Sequence, residues 1–164
     1  MISVFKDLNQ FAKRWKTLDL AAIFCAIILP YFLVIFLLAY CIVQKNIYLF
    51  FYAVLSALLA RLLNEVIYFF YKEKRPAYVS GTNVLIPIPS NYSFPSSHAS
   101  IFFAMSWFFL FNNFYLGLVF LILSLIIGLA RVFCGVHWFH DIIAGGFVGL
   151  ISALVVNYLM VLVR

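Results

Sequence analysis

The 164-residue chain is short of charge, and of negative charge above all. Lys and Arg number 11 against 5 for Asp and Glu, and the four types together make 10% of the residues. With so few carboxylates there is no acidic cluster to hold magnesium or calcium. No Cys/His spacing matches a zinc site either, so neither a metal nor another cofactor is expected. Cysteine is scarce too: Cys25 and Cys41 fall on one expected helix, 16 positions apart, or roughly 24 Å at helical rise, which is too far to bridge. Cys134 is then an odd thiol. No soluble domain, internal repeat or water-filled core is visible, and nucleic acid is a poor candidate partner. What is present is hydrocarbon. Hydrophobic residues make up 67% of the chain and aromatics 20%, and a mean hydropathy of +1.12 places it among integral membrane proteins. The net charge of +6 suits anionic headgroups or phosphates.

The apolar runs predict an all-α integral membrane protein, a bundle of five transmembrane helices plus an N-terminal amphipathic surface helix. Residues 1–17 carry Ile2, Phe5, Leu8, Phe11 and Trp15 at helical spacing with Lys6, Lys13, Arg14 and Lys16 around them. This segment is expected to lie flat on a membrane surface. The following run is too long for a signal peptide's apolar core and lacks a cleavage site, so it is expected to stay in the mature protein. Residues 18–164 form one transmembrane domain, with spans at about 18–43, 47–71, 97–111, 115–133 and 139–163. Pro30 is a candidate kink in the first. Arg61, Asn64 and Glu65 interrupt the second, where charge is costly unless paired. Arg61 and Glu65 are one turn apart, and a structural ion pair is favoured there over direct substrate contact. Residues 72–95 form the longest polar connection, broken by Pro76, Gly81, Pro87, Pro89, Ser90 and Asn91. Its apolar patch, Val84–Ile86 and Ile88, could dip into the interface beside an entering lipid or pack on its own helices. The third span is short, so either its start sits recessed below the membrane surface or its flanks supply extra length.

Five alternating spans bring Arg75, Ser96, Ser97, His98, Arg131, His137 and Asp141 to one membrane face. Pro95-Ser96-Ser97-His98 opens an apolar helix. A serine there can cap it, and the free N–H groups of its first turn make an anion cradle with a histidine attached. His137 and Asp141 lie four apart at the start of the last span, so the carboxylate can accept one imidazole N–H and leave the other nitrogen free. That arrangement orients a nucleophile. Arg75 and Arg131 supply the planar forks that fit phosphate oxygens, and His98 remains as general acid. The plainer readings are a capped membrane helix with an interfacial histidine at 95–98, and a helix cap with a satisfied histidine at 137–141. His140 has no assigned role.

Arg75-Pro76, Pro95-Ser96-Ser97-His98, and Arg131 followed by His137 and Asp141 resemble the three signature motifs of the type 2 phosphatidic acid phosphatase superfamily. The resemblance implies metal-independent hydrolysis of a lipid phosphate or diphosphate at the membrane surface. His137 would attack phosphorus, Asp141 orient it and His98 protonate the departing oxygen. Arg75, Arg131, Ser96 and the backbone at Ser97 would hold the phosphate. Three positions depart from the family pattern. Tyr68 stands where the first motif has a lysine, with Lys72 and Lys74 as candidate replacements; Ser97 replaces a glycine; and Ala130 replaces a serine. The family's usual six spans become five plus the surface helix. Bacterial members act on lipid A 1-phosphate, undecaprenyl diphosphate or phosphatidylglycerol phosphate. The expected partners are therefore a lipid phosphate and the bilayer, with no obligate protein partner evident. A lipid-to-lipid phosphotransferase would keep the same residues. A non-catalytic phospholipid-binding or transport protein would not need the His137–Asp141 arrangement. The Lys/Arg count puts the active face in the cytoplasm, whereas the resemblance puts it on the extracytoplasmic face of a bacterial inner membrane.

Overall fold

The structure, a computed structural model, describes residues 2–88 and 92–163. All its regular elements are helical: α1 (Ile2–Asn9), α2 (Lys16–Ile23), α3 (Leu29–Val43), α4 (Ile47–Phe70), α5 (Ser97–Asn112), α6 (Phe114–Phe133) and α7 (Phe139–Val163). A π-helical turn, Phe24–Ile28, joins α2 to α3 into one run, Lys16–Val43. Four segments among the described residues are long and apolar enough to cross a membrane: Lys16–Val43, Ile47–Phe70, Phe114–Phe133 and Phe139–Val163. They follow the expected spans to within about two residues. Helix α5 has 16 residues, about 24 Å at helical rise. It is the centre of the bundle, packed against α4, α6 and α7.

Lipid tails are as apolar as leucine, so hydrophobicity alone does not select one helix packing in a membrane; close contact does. Gly145 and Gly149 of α7 provide it. A Cβ at Gly145 would lie 2.8 Å from Ala99 Cβ and 3.0 Å from the Ser96 carbonyl oxygen, and one at Gly149 would lie 2.7 Å from Ala104 N. This stripe lets α7 lie directly on α5 and brings the Ser96 N–H to the backbone carbonyl of Asp141, 3.1 Å away. Away from that contact, Leu37, Phe108, Phe109, Phe120 and Ile127 fill the interior. Phe32, Phe36, Leu58, Leu62 and Phe147 face outward.

The π turn has a covalent cause. Pro30 has no N–H and its ring crowds the carbonyl four residues back, which is that of Ala26. The chain widens by one residue there, with the Leu29 N–H reaching the Phe24 carbonyl, and the Ala26 carbonyl is left for another donor. The expected kink at Pro30 is therefore a bulge just before it.

The N-terminal segment is helical only over Ile2–Asn9, with turns following. Its end is fixed by side chains: Asn9 Nδ2 donates to the carbonyls of Asn83 (2.8 Å) and Phe133 (2.9 Å). The Lys13 N–H, at φ 68°, is taken by the Asp19 carboxylate at 3.0 Å. Phe5 and Ala12 are buried against protein, Phe5 edge-on to Trp138 at 4.9 Å, while Phe11 and Trp15 are exposed. In the 72–95 connection, Ile86 is buried with Ala130, Phe133 and Val136, so this part of its apolar patch packs on the protein's own helices. Pro89, Ser90 and Asn91, cited as breakers, lie outside the described residues.

Candidate active site

The ends of α4 and α6 and the starts of α5 and α7 meet at one end of the bundle. They enclose a cavity of about 670 Å³, lined there by Tyr68, Arg75, Ser97, His98, Arg131 and His137. Each element delivers its side chain by a traceable local feature. Gly135, at φ +78°, turns the chain out of α6, and a Cβ there would strike the Asn83 carbonyl. That turn sets Val136 and His137 back under Arg75. Ser96 caps α5, its Oγ 3.5 Å from the Ala99 N–H. Tyr68, at the position of the family's lysine, donates its hydroxyl to the Pro95 carbonyl at 2.7 Å and stands 3.1 Å from Ser97 Oγ. It therefore braces the loop that presents the start of α5.

His137 is 2% exposed and Asp141 fully buried. Arg75 Nη1 lies 3.1 Å from His137 Nε2 and 2.7 Å from the Val136 carbonyl. A guanidinium only donates, so Nε2 must be the nitrogen that carries the lone pair, and Nδ1 bears the proton. That proton points at Asp141 Oδ2, 3.1 Å away, and the same oxygen accepts the Trp138 N–H at 2.8 Å. Burial, with Arg131 and Arg75 nearby, holds the His137 imidazole well below its ordinary pKa, which keeps it neutral at physiological pH. Arg131, 4% exposed, donates through Nη1 to the Ala26 carbonyl freed by Pro30, at 3.4 Å, while its buried Nε has no hydrogen-bond partner. A buried N–H left unpaired beside this cavity is a donor available to a phosphate oxygen.

Behind Asp141 lies a second layer absent from the sequence reading. His140 Nε2 is 2.9 Å from Glu73 Oε1 and 3.4 Å from Asp141 Oδ1. Glu73 is held in turn by the Ser93 N–H on its backbone carbonyl, 2.9 Å away. The only sequence signal for this layer was the place of His140 beside Asp141; nothing marked Glu73. These three groups lie close enough together to ligate a cation, a juxtaposition that the carboxylate count alone does not reveal. Lys72 and Lys74 are exposed and do not line the cavity. The Lys72 ammonium sits 5.9 Å over the Tyr92 ring, and Lys74 forms a β-bridge with Tyr92. Tyr68 and Tyr92 line the cavity instead.

Fold and site together define a helical integral membrane protein with a buried histidine hydrogen-bonded to a carboxylate, and two arginines beside it, at one end of the bundle. Residues 48–163 match the model of the PAP2 superfamily, and the chain belongs to that family. It is 31% identical to the bacitracin transport permease protein BcrC of Bacillus licheniformis, over 94% of this chain and 78% of that one. It is 27% identical to the undecaprenyl-diphosphatase BcrC of Bacillus subtilis, over 95% and 80%. Among solved structures it resembles LpxE of Aquifex aeolicus, with a TM-score of 0.71 and 22% identity over 96% of this chain and 94% of that one. At that identity the likeness is one of fold.

Proposed function

We propose that this protein hydrolyses a lipid phosphate or diphosphate without a metal, through a phosphohistidine on His137. The observation that carries this reading is the tautomer: Arg75 can only donate to Nε2 and Asp141 can only accept from Nδ1, so the lone pair is on Nε2, beside Arg75, and Arg75 and His137 both line the cavity. A lipid phosphate entering between Arg75 and Arg131 takes the place of the lone pair's resting partner. Its oxygens gain the two guanidiniums and the N–H groups at the start of α5. Nε2 attacks phosphorus in line, the bond to the leaving oxygen breaks, and His98 supplies that oxygen's proton. Asp141 balances the positive charge that develops on the ring. Water then attacks the phosphohistidine and gives a proton to His98. The bond from phosphorus to Nε2 breaks with its electron pair staying on the ring, and phosphate leaves with both histidines restored. Candidate substrates are undecaprenyl diphosphate, lipid A 1-phosphate and phosphatidylglycerol phosphate, the first favoured by the name of the Bacillus subtilis relative.

Five spans, α5 being the short central one, with residues 1–17 as an interfacial segment that is helical over Ile2–Asn9 and 18–164 as the catalytic domain, account for the apolar exterior and the polar end. The bacterial inner membrane, with the active site on its extracytoplasmic face, is the setting that family membership supports. The transport name borne by one relative supports a second, binding or transport reading. Phosphate release from a panel of lipid phosphates and diphosphates in detergent with excess EDTA separates the two. Activity that survives EDTA and is abolished by His137→Ala supports hydrolysis. No release from any lipid by folded protein supports transport, and a labelled lipid product instead of free phosphate marks a phosphotransferase.

A further inference from the structure

The mechanism leaves one pair of charges unused. Arg61 and Glu65 stand on α4, nine and five residues before its end at Phe70, about 13 and 8 Å inside that end at 1.5 Å per residue. They form an ion pair on adjacent turns, each side chain about half exposed (46% and 54%). Charge kept at this depth gives up hydration, and its retention marks a working surface. Both residues line the same cavity as His98, Arg75, Arg131 and His137. Pairing with Glu65 draws the Arg61 guanidinium along the helix toward the site, to the turn below Tyr68.

The cavity therefore has two cationic levels. The outer one, Arg75 with Arg131, surrounds His137; the inner one, Arg61, lies toward the bilayer. A lipid whose terminal phosphate sits at His137 and whose tail runs into the membrane passes Arg61 on the way. Beyond that level the cavity wall is apolar, with Pro30 and Val34 on α3 facing Ile101 and Phe102 on α5.

We propose that Arg61 is the ligand for the second, lipid-proximal phosphate of a diphosphate substrate, and thereby sets a preference for lipid diphosphates over monophosphates. This rests on the reading of the cavity as a phosphatase site. When His137 takes the terminal phosphoryl group, the bond from terminal phosphorus to the bridging oxygen breaks and its electron pair stays on that oxygen. The leaving group is the lipid monophosphate, and Arg61 faces the charge it gains. A guanidinium has five N–H donors, so pairing with Glu65 leaves others for a phosphate oxygen. Glu65 keeps the level near neutral, which favours release of the anionic product.

Farnesyl diphosphate and farnesyl monophosphate share one tail and differ by one phosphate, so they isolate the effect. The double variant Arg61→Leu/Glu65→Leu removes both charges and leaves neither unpaired. It is expected to lose roughly tenfold to a hundredfold in kcat/KM on the diphosphate, the worth of a charged hydrogen bond, and less than about threefold on the monophosphate. Glu65→Gln, which keeps Arg61 and frees its donors, is expected to lower KM for the diphosphate by a larger factor than for the monophosphate. A purely structural pair would lower both activities together, along with the melting temperature, and equal losses on the two substrates would overturn the proposal. Wild-type protein that hydrolyses the monophosphate but not the diphosphate would overturn it too, while leaving the phosphatase reading in place. Release from neither substrate would overturn both.

Discussion

Replacing Asp141 by Asn tests whether the carboxylate acts through its charge or through its geometry, because the structure separates the two. The His137 Nδ1–H at 3.1 Å and the Trp138 N–H at 2.8 Å both reach Asp141 at the same oxygen, Oδ2, while His140 Nε2 stands 3.4 Å from Oδ1. The Trp138 N–H belongs to the backbone and cannot turn away. An asparagine must therefore place its carbonyl oxygen there, which keeps both hydrogen bonds and the ring tautomer. What disappears is the negative charge opposite the imidazolium that the proposed attack of Nε2 on phosphorus would form. At about 4 Å and an effective dielectric near 20, a full charge pair is worth about 4 kcal/mol. Roughly half of that is felt at a transition state with half-developed charge, so kcat should fall by about thirtyfold, and by no more than about a thousandfold. Asp141→Ala removes the hydrogen bonds as well and should be more damaging than Asn. Rapid-quench trapping of a labelled phosphoenzyme at alkaline pH reads the first step directly. An Asn variant whose phosphorylation rate stays within about threefold of wild type would refute the role of the charge.

Other consequences are equally open to measurement. Because burial and two guanidiniums hold the His137 pKa well below the usual 6.5, the unfolded chain binds a proton there before the folded protein does. Its contribution to stability is complete above about pH 6.5 and is lost as pH falls; melts at pH 7.5 and 5.0 should differ more in wild type than in His137→Gln. His98→Ala should damage hydrolysis of a lipid monoester, which departs as an alkoxide, more than that of a diphosphate, and equal losses would remove His98 as general acid. His140→Ala should lower kcat roughly fivefold, the worth of about one hydrogen bond, with KM little changed. Gly145→Ala should lose about 1–3 kcal/mol by pushing α7 off α5, seen as a lower melting temperature together with reduced activity.

Much of this protein was written in the order of its residues. Hydropathy alone placed the spanning helices, because a segment in hydrocarbon must satisfy its backbone internally and can do so only as a long apolar helix. Parity then carried Arg75, Ser97, His98, Arg131 and His137 to one end, and the spacing of His137 and Asp141 predicted their pairing, although His137 stands two residues before the start of α7 and not on its face. What tertiary structure alone decided lies between elements distant in sequence. The Asn9 side chain ends the first helix early by bonding Phe133 and Asn83, over separations that local spacing does not encode. Pro30 was legible as a disturbance, but only the packing of α6 shows that the carbonyl it frees is taken by Arg131. Lys72 and Lys74, next to Arg75 in sequence, point outside the cavity. Tyr68 reaches the start of α5, and Glu73 finds His140, across separations of 29 and 67 residues. Sequence periodicity fixes the face on which a residue stands; which group it meets there depends on how closely two helices approach, and in this bundle the glycines of α7 determine that distance.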